Sequence, residues 1–172
     1  TEDVKELILD KLSSWTTGEY KIEMLAEDVF GQEVQVSKYF TLFEPSSDEL
    51  PGPLANWFVP LKTKGEPGEK AAFLIGTSYQ DAHLLFEVSS KDGNIKKEWI
   101  RLSDEQRLIE IPIREADRGG IGLNVVFIHH NQGFYDNALV DVPYSNKTLD
   151  LSFETFRDKL LPGQQEEWKI KI

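Results

Sequence analysis

Seven short runs of apolar and β-branched residues, separated by turn residues, occupy the middle of this 172-residue chain. The runs are strand-length, and turn signals such as Lys91–Asn94 and Asn131–Gly133 interrupt them. Spacing of this kind is typical of an antiparallel β-sandwich. We therefore predict one complete, seven-stranded, all-β domain over residues 56–144. The predicted strands cover residues 56–62, 71–77, 82–89, 94–102, 106–113, 121–130 and 134–142.

The residues before this domain predict a short helix followed by a β-hairpin. The first twelve residues place apolar side chains at helical spacing behind a polar start, which predicts the helix. From Gly18 the period changes to two on either side of a turn at Asp28–Gly31, which predicts a hairpin with one buried face. The helical positions are Val4, Leu7, Ile8 and Leu12, and the hairpin positions are Tyr20, Ile22, Met24, Ala26, Val34, Val36 and Tyr39 to Phe43.

A segment rich in proline and acidic residues lies between the hairpin and the seven strands. Residues 44–53 contain three prolines, a glycine and three acids, a composition that neither pairs in a sheet nor holds a helix. We predict a linker at residues 45–55 and treat residues 1–44 as the closing part of a preceding domain. On this basis limited proteolysis is expected to cut first between Glu44 and Leu54 and to release a resistant core over residues 55–145.

A further pair of apolar runs follows Pro143, at 149–156 and 168–172, and predicts the opening strands of another domain over residues 145–172. The chain starts at Thr1 without a methionine and stops within a polar/apolar alternation. We therefore expect it to be a piece of a larger protein. A targeting signal or catalytic motif of that protein could lie outside the piece.

Composition excludes several classes of function. The formal net charge is −11, so phosphate backbones are repelled and nucleic acid is not expected as a partner. The chain contains no cysteine, which excludes a disulfide scaffold, a thiolate metal site and a cysteine nucleophile among these residues. No run approaches the roughly 20 apolar residues that a membrane-spanning helix needs. Composition alone leaves the cellular compartment open.

Two clusters of polar residues could suggest chemistry. His129 and His130 lie near Asp136, but adjacent histidines on a strand point to opposite faces unless the strand ends there. We interpret this cluster as a strand end and hairpin turn, and the isolated His83 as part of a strand start. Glu110, Glu115, Asp117 and Arg118 could suggest a carboxylate pair for general acid–base chemistry or glycoside cleavage, but proximity in sequence does not set their separation. We interpret Arg114–Gly120 as a charged loop closed by glycines that permit positive φ. Gly119, Gly120 and Gly122 lack the spacing of a dinucleotide-binding loop.

The four tryptophans, Trp15, Trp57, Trp99 and Trp168, are spread over separate predicted elements. A carbohydrate platform needs aromatic rings that converge on one exposed face, whereas core or domain-interface anchors need no special arrangement. We therefore favour core or interface roles. Asn146–Thr148 is a formal N-glycosylation acceptor, which matters only in a secreted eukaryotic protein. We predict no catalytic residue, no cofactor-binding residue, no metal ligand and no cofactor.

Several short segments, in their order and spacing, resemble the central part of bacterial proteins of the alpha-2-macroglobulin family. The half-motifs Gly18–Tyr20, Ala26–Asp28 and Phe30–Gly31 resemble the end of a macroglobulin domain, and Lys64–Gly68 and Leu160–Gly163 resemble the entry to the next. The intervening segments that carry the resemblance are Glu110–Ile113, Val140–Pro143 and Leu149–Ser152.

The resemblance implies tandem immunoglobulin- or fibronectin-like β-sandwiches that form part of a cage which traps proteases after a bait segment is cut. It also implies an extracytoplasmic location, in the periplasm or at the cell surface, with other domains of the same parent chain and proteases as partners. The family often carries a thioester built from a Cys-x-x-Gln motif, and no thioester residue is transferred because this chain has no cysteine. The linker at residues 45–55 is more simply an interdomain linker than a bait segment.

The expected function is thus that of a non-catalytic structural module in protease trapping. The alternative is a carbohydrate- or surface-binding β-sandwich accessory domain of a multidomain extracellular protein. A third hypothesis, an independent hydrolase on a sandwich fold, is disfavoured because no nucleophile elbow, P-loop or zinc-protease motif is present.

Overall fold

The computed structural model describes residues 8–9, 11–93, 95–147, 152–155, 159, 161–163, 165 and 169–171. Eleven strands account for almost all of the regular structure, and every described helical segment is a three-residue 3-10 turn. The prediction of an all-β fold is therefore confirmed. The strands are β1 Gly18–Glu27, β2 Glu33–Leu42, β3 Trp57–Lys62, β4 Lys70–Thr77, β5 Ala82–Ser90, β6 Ile95–Leu102, β7 Glu105–Pro112, β8 Ile121–His129, β9 Gln132–Val140, β10 Ser152–Thr155 and β11 Lys169–Lys171.

The chain forms two compact units, Thr1–Val142 and Pro143–Ile172. The first contains β1 to β9, and the second contains β10 and β11. The division into residues 1–44, 45–55, 56–144 and 145–172 remains a prediction about domain boundaries. The predicted N-terminal helix falls largely on residues 1–7 and 10, outside the described residues, and a 3-10 turn at Leu12–Ser14 follows it.

Strands β1 and β2 form an antiparallel hairpin, which confirms the predicted hairpin. The pairing is continuous from Gly18 opposite Leu42 to Glu27 opposite Glu33. The turn is fixed by Asp28, whose Oδ1 accepts hydrogen bonds from the N–H groups of Phe30 and Gln32 at 2.8 Å each. The expected buried face is wrong along the half nearer this turn. Met24, Val34 and Val36 share one face of the hairpin and are 49%, 48% and 44% exposed.

Strands β3 to β9 form two antiparallel sheets, with strand orders β3-β4-β7 and β6-β5-β8-β9. All seven predicted strands are present, with ends within a residue or two of those expected. In an immunoglobulin constant domain the fourth strand joins the first sheet. Here β6 pairs with β5 in the second sheet, an arrangement that is fibronectin-like.

The core lies between the two sheets and follows from the alternation of each strand. Strand β4 contributes Ala71, Phe73 and Ile75, and its partners contribute the side chains of matching parity. Because neighbouring residues on a strand face opposite ways, one register fixes the whole set. The remaining core residues are Ala82, Leu84, Phe86, Ile100, Leu102, Ile111, Ile113, Ile121, Leu123, Val125, Phe127, Val140 and Val142.

One side of the sandwich is closed where the ends of β3 and β9 meet. Lys64 and Asp141 form a parallel bridge just beyond the two strands. The Asp141 N–H donates to the Thr63 carbonyl at 2.8 Å, and the Gly65 N–H donates to the Asp141 carbonyl at 3.2 Å. The first and last strands of the sandwich are thereby joined across the two sheets.

The predicted linker is irregular, as its composition indicates, but it is docked. Residues 44–55, called the strap from here on, bond to β4, β7 and the loop after β4. They run over the outer face of the β3-β4-β7 sheet, the face directed away from the core. Pro51 of the strap is buried. The hairpin and the sandwich are therefore connected by a segment that belongs to the packed structure.

In the second unit, β10 and β11 pair antiparallel, with Ser152 opposite Lys171 and an irregularity between Phe153 and Thr155. This pairing agrees with the two apolar runs predicted after Pro143. A 3-10 turn at Ser145–Lys147 precedes the hairpin. Residues 149–151, 156, 168 and 172 of the predicted runs lie outside the described residues.

Candidate functional site

The histidine cluster is a hairpin turn, as predicted. His129 pairs with Gln132 at the end of the β8-β9 ladder, and the two residues between them, His130 and Asn131, have φ of 46° and 62°. Positive φ at both central residues defines a tight hairpin turn of the primed type. Because the strand ends here, the two imidazole rings lie together, with centroids 4.0 Å apart.

Residues of the turn and of β9 contact neighbouring loops. The Tyr79 ring stacks on His129 with a centroid distance of 4.0 Å and an interplanar angle of 14°. Asp136 accepts a hydrogen bond from Asn56 Nδ2 at 2.7 Å. Among the described residues, no group of three or more histidine, cysteine, aspartate or glutamate side chains is arranged to hold a metal ion. His83 is exposed and lies 3.0 Å from the Asp81 carboxylate.

The charged loop at residues 114–120 is also structural. Asp117 is 2% exposed and accepts hydrogen bonds from the Ser90 hydroxyl at 2.9 Å and the Arg114 N–H at 2.8 Å. Gly119 and Gly120 have φ of 99° and 125°, so the loop uses its glycines as predicted. Each charged group described here thus stabilises the loop or the adjoining strand.

The Arg118 guanidinium bridges two acids of this region. It donates to Glu115 at 2.6 Å and to Glu66 at 3.0 Å, and the bond to Glu115 is the main cause that raises the pKa of Arg118 above its usual value. Glu110 is bound to Lys70 at 2.7 Å. Glu115 and Glu66 thus share the Arg118 guanidinium, and Glu110 is paired with Lys70.

A cleft of about 400 Å³ opens between β6 and β7, on the side of the sandwich opposite the Lys64–Asp141 bridge. Lys96 and Glu98 lie on the inner face of β6, opposite Val88 and Phe86, and their charged groups are 3.5 Å apart. Inward-pointing charges on an edge strand oppose the addition of another strand. The cleft lining comprises Phe86, Val88, Ser90, Ile95, Lys96, Glu98, Ile109, Glu110, Ile111, Pro112 and Arg114.

The outer face of the four-stranded sheet carries an exposed apolar row. Trp99, Leu85, Val126 and Tyr135 are cross-strand partners on β6, β5, β8 and β9 in that order. Trp99 is 68% exposed and Tyr135 is 61% exposed, while the two residues between them are partly buried. Aromatic side chains of this kind are enriched at protein interfaces. We call these four residues the aromatic row.

A polar row lies beside the aromatic row on the same face. Lys97 and Glu87 form an ion pair at 2.9 Å, and the Tyr135 hydroxyl donates to Asn124 Oδ1 at 2.9 Å. Hydrogen bonding by Lys97 is the main cause that lowers the pKa of Glu87 below its usual value. The face thus combines exposed rings with charged and amide groups.

The tryptophans differ in burial more than the sequence suggests. A core role is wrong for Trp99, which is mostly exposed, whereas Trp57 is half-buried and donates its indole N–H to Gln106 Oε1 at 2.9 Å. Trp15 packs at the base of the β1-β2 hairpin, 4.9 Å from the Tyr20 ring. Trp168 lies outside the described residues. Among the described tryptophans, only Trp99 presents most of its surface to solvent.

Together the fold and these surfaces define an all-β, fibronectin-like sandwich module with one exposed aromatic face. A family model described as the alpha-2-macroglobulin bait region domain matches residues 57–172. The chain belongs to this alpha-2-macroglobulin bait region domain family, which confirms the resemblance inferred from the short motifs. A comparison with curated proteins finds no match.

The family match starts where the sandwich starts. The match begins at Trp57, the first residue of β3, and extends through the second unit. The hairpin β1-β2 and the strap therefore precede the matched region. In the part of the chain that the structure describes, no helix is long and apolar enough to cross a membrane.

Proposed function

We propose that this chain is a non-catalytic structural module of an alpha-2-macroglobulin-like protein that takes part in trapping proteases. The observation that carries the proposal is that the bait region domain model matches residues 57–172. These residues include the whole β3 to β9 sandwich and the β10-β11 hairpin that follows it. The module contributes shape and contact surface. We assign it no catalytic, cofactor-binding or metal-binding residue.

The same proposal places the parent protein outside the cytoplasm, in the periplasm or at the cell surface, where it meets proteases. Its other partners are further domains of the parent chain. We retain the division into a closing part at residues 1–44, a connection at 45–55, a complete sandwich at 56–144 and opening strands at 145–172. Under this scheme the exposed aromatic row is available for contact with another domain.

The decisive experiment uses the full-length parent protein mixed with an active protease. A trapped protease is expected to remain bound to the parent, to cleave a small peptide substrate at its normal rate, and to lose most activity on a large protein substrate. The isolated 172-residue chain is the matched control, because one module cannot enclose a protease. Equal cleavage of both substrates, with no retained complex, overturns the proposal.

A hydrolysis assay on the purified chain addresses the absence of chemistry. We expect no turnover of generic ester, peptide or glycoside substrates. Turnover that disappears in His129→Ala or His130→Ala, while the variants keep their fold by circular dichroism, would contradict the non-catalytic assignment.

The aromatic row favours one second candidate, a carbohydrate- or surface-binding module. Trp99 and Tyr135 lie on one flat face beside Glu87, Lys97 and Asn124, so rings and hydrogen-bonding groups share that face. This candidate predicts retardation of the chain in gels that contain a polysaccharide, and loss of the retardation in Trp99→Ala. The variant Trp57→Ala is a poor control because Trp57 is packed, so Ile128→Ala, at a position that is 75% exposed, serves instead.

A further inference from the structure

The strap is fastened to the sandwich through its backbone near both ends. Near its C-terminal end, the Ser78 N–H donates to the Leu54 carbonyl at 2.7 Å, and the Leu54 N–H donates to Ser78 Oγ at 2.8 Å. The Thr77 hydroxyl donates to the Ala55 carbonyl at 2.7 Å. Further towards the N-terminal end, the Gln106 N–H donates to the Asp48 carbonyl at 2.8 Å. Groups that a mobile linker would leave to water are thus bound to β4, the following loop and β7.

The side chain of Gln106 holds the N-terminal part of the strap. It is 1% exposed, and its Nε2 donates to the carbonyls of Glu44 at 2.9 Å and Ser47 at 3.0 Å. Its Oε1 accepts the indole N–H of Trp57 at 2.9 Å. Both amide hydrogens and the amide oxygen therefore have partners. Release of the strap would leave this buried amide without the two carbonyls, which is unfavourable until water enters.

A gap in the sheet surface receives an apolar anchor of the strap. Trp57, Gly76 and Gln106 are cross-strand partners on the outer face of the β3-β4-β7 sheet. A Cβ atom at Gly76 would lie 2.8 Å from Leu50 Cδ2 and 3.0 Å from Gln106 Cα. The absence of a side chain at Gly76 therefore permits Leu50 to approach the sheet.

We propose that the strap is a closed latch, which withholds a protease-sensitive sequence from proteases and joins the β1-β2 hairpin to the sandwich. A protease binds its substrate as an extended segment with free backbone groups, and the strap offers such a segment only when it leaves the sheet. The strap lies before the region matched by the bait region domain. The latch therefore directs cleavage away from this connection, which reverses the expectation from composition that proteolysis cuts first between Glu44 and Leu54. It does so whether or not the parent traps proteases.

The test is limited proteolysis of the intact chain at pH 8 with a glutamyl endopeptidase, which cleaves after glutamate, with mass spectrometry to follow cleavage between Glu49 and Leu50. In Gln106→Glu, a carboxylate oxygen replaces the donor that faces the carbonyls of Glu44 and Ser47. We expect this cut to become about 10- to 100-fold faster, because a lost and unsatisfied hydrogen bond shifts local opening by that order. The mirror variant Glu110→Gln changes the same chemical group on β7, at the Lys70 ion pair, and is expected to leave the rate unchanged.

A variant on the strap itself keeps the proposal testable if Gln106→Glu fails to fold. Leu50→Ala leaves the sandwich residues intact and is also expected to speed this cleavage. Amide hydrogen exchange supplies a second reading, with faster exchange at Ser78 and Gln106 in both variants and slow exchange in the unchanged protein. Rapid cleavage at Glu49–Leu50 in the unchanged protein, or equal rates in all variants, overturns the latch.

Discussion

The two outer faces of the sandwich each carry a tryptophan in a cross-strand row, but the chain covers one row and leaves the other exposed. On the three-stranded sheet, the row Trp57, Gly76 and Gln106 lies under the strap, and Gln106 is 1% exposed. On the four-stranded sheet, the aromatic row ends in Trp99 and Tyr135, which are 68% and 61% exposed.

The difference shows what a sheet face needs in order to be sealed by its own chain. The covered face has a glycine that admits Leu50 and a buried amide that binds backbone carbonyls. At the centre of the aromatic row the open face has partly buried Leu85 and Val126, and the neighbouring polar groups bind one another. In this molecule the covered face thus offers a place for Leu50 and donors for the strap carbonyls, whereas the polar row of the open face is already paired.

The largest contrast is expected from a matched pair of leucine truncations. Leu74 is fully buried on the outer face of the three-stranded sheet, and Leu139 is 69% exposed on the outer face of the four-stranded sheet. Leu74→Ala is expected to lower the free energy of unfolding by about 2–5 kcal/mol, because it removes buried methyl groups and leaves a cavity. Leu139→Ala should change it by less than about 0.5 kcal/mol. Urea denaturation measures both, and similar losses would contradict the assignment of the faces.

A smaller effect is expected when the gap under the strap is filled. Gly76→Ala should cost about 1–3 kcal/mol of unfolding free energy, since the new Cβ meets both Leu50 and the β7 backbone. Gly133→Ala is the matched control, because its Cβ would have no atom within 4 Å. Thermal unfolding of each variant provides the measurement. In a Leu50→Ala background the cost of Gly76→Ala should shrink, and an unchanged cost would show that the strap does not fill the gap.

The smallest effect concerns the charges of the open face. The pKa of Glu87 lies below its usual value mainly because Lys97 binds its carboxylate. A depressed folded-state pKa adds stability above the unfolded pKa, and this stability is lost as the pH falls through the folded pKa. Lys97→Met should raise the Glu87 pKa towards its usual value in an NMR titration, with little change in melting temperature because exposed ion pairs contribute little. A normal Glu87 pKa in the unchanged protein would contradict this ion pair.

The elements predicted from sequence are those that local alternation defines. The hairpin and the seven strands could be predicted because apolar and polar residues alternate between turn signals. The turn at His130 and Asn131 could be predicted because the histidines end a strand. Register and sheet order were not predicted and come from the structure. The buried face expected for the hairpin was wrong at Met24 and Val36, because alternation identifies an apolar face but not whether another element covers it.

The docking of the strap and the exposure of the aromatic row could not be predicted in the same way. The composition of the strap correctly excludes a strand and a helix. Two of the strap carbonyls, however, accept hydrogen bonds from Gln106, which lies about sixty residues away in the sequence. A glutamine on the outer face of a strand is an ordinary residue, so no local signal marks it as a partner. Trp57 begins β3 and Trp99 lies within β6, and both side chains lie on outer faces of the sandwich. Trp57 is packed by Phe43 and bound by Gln106, whereas Trp99 is mostly exposed.

The parallel bridge between Lys64 and Asp141 has a mechanical consequence. It joins the segment just after the first strand of the sandwich to the segment just after the last, so tension applied to the two ends of the sandwich pulls these segments past each other. The hydrogen bonds from Asp141 to Thr63 and from Gly65 to Asp141 are then loaded in shear and break together, whereas the bonds of a hairpin peel apart one at a time. We therefore expect the bridge that closes one side of the core also to raise the force needed to unfold the sandwich.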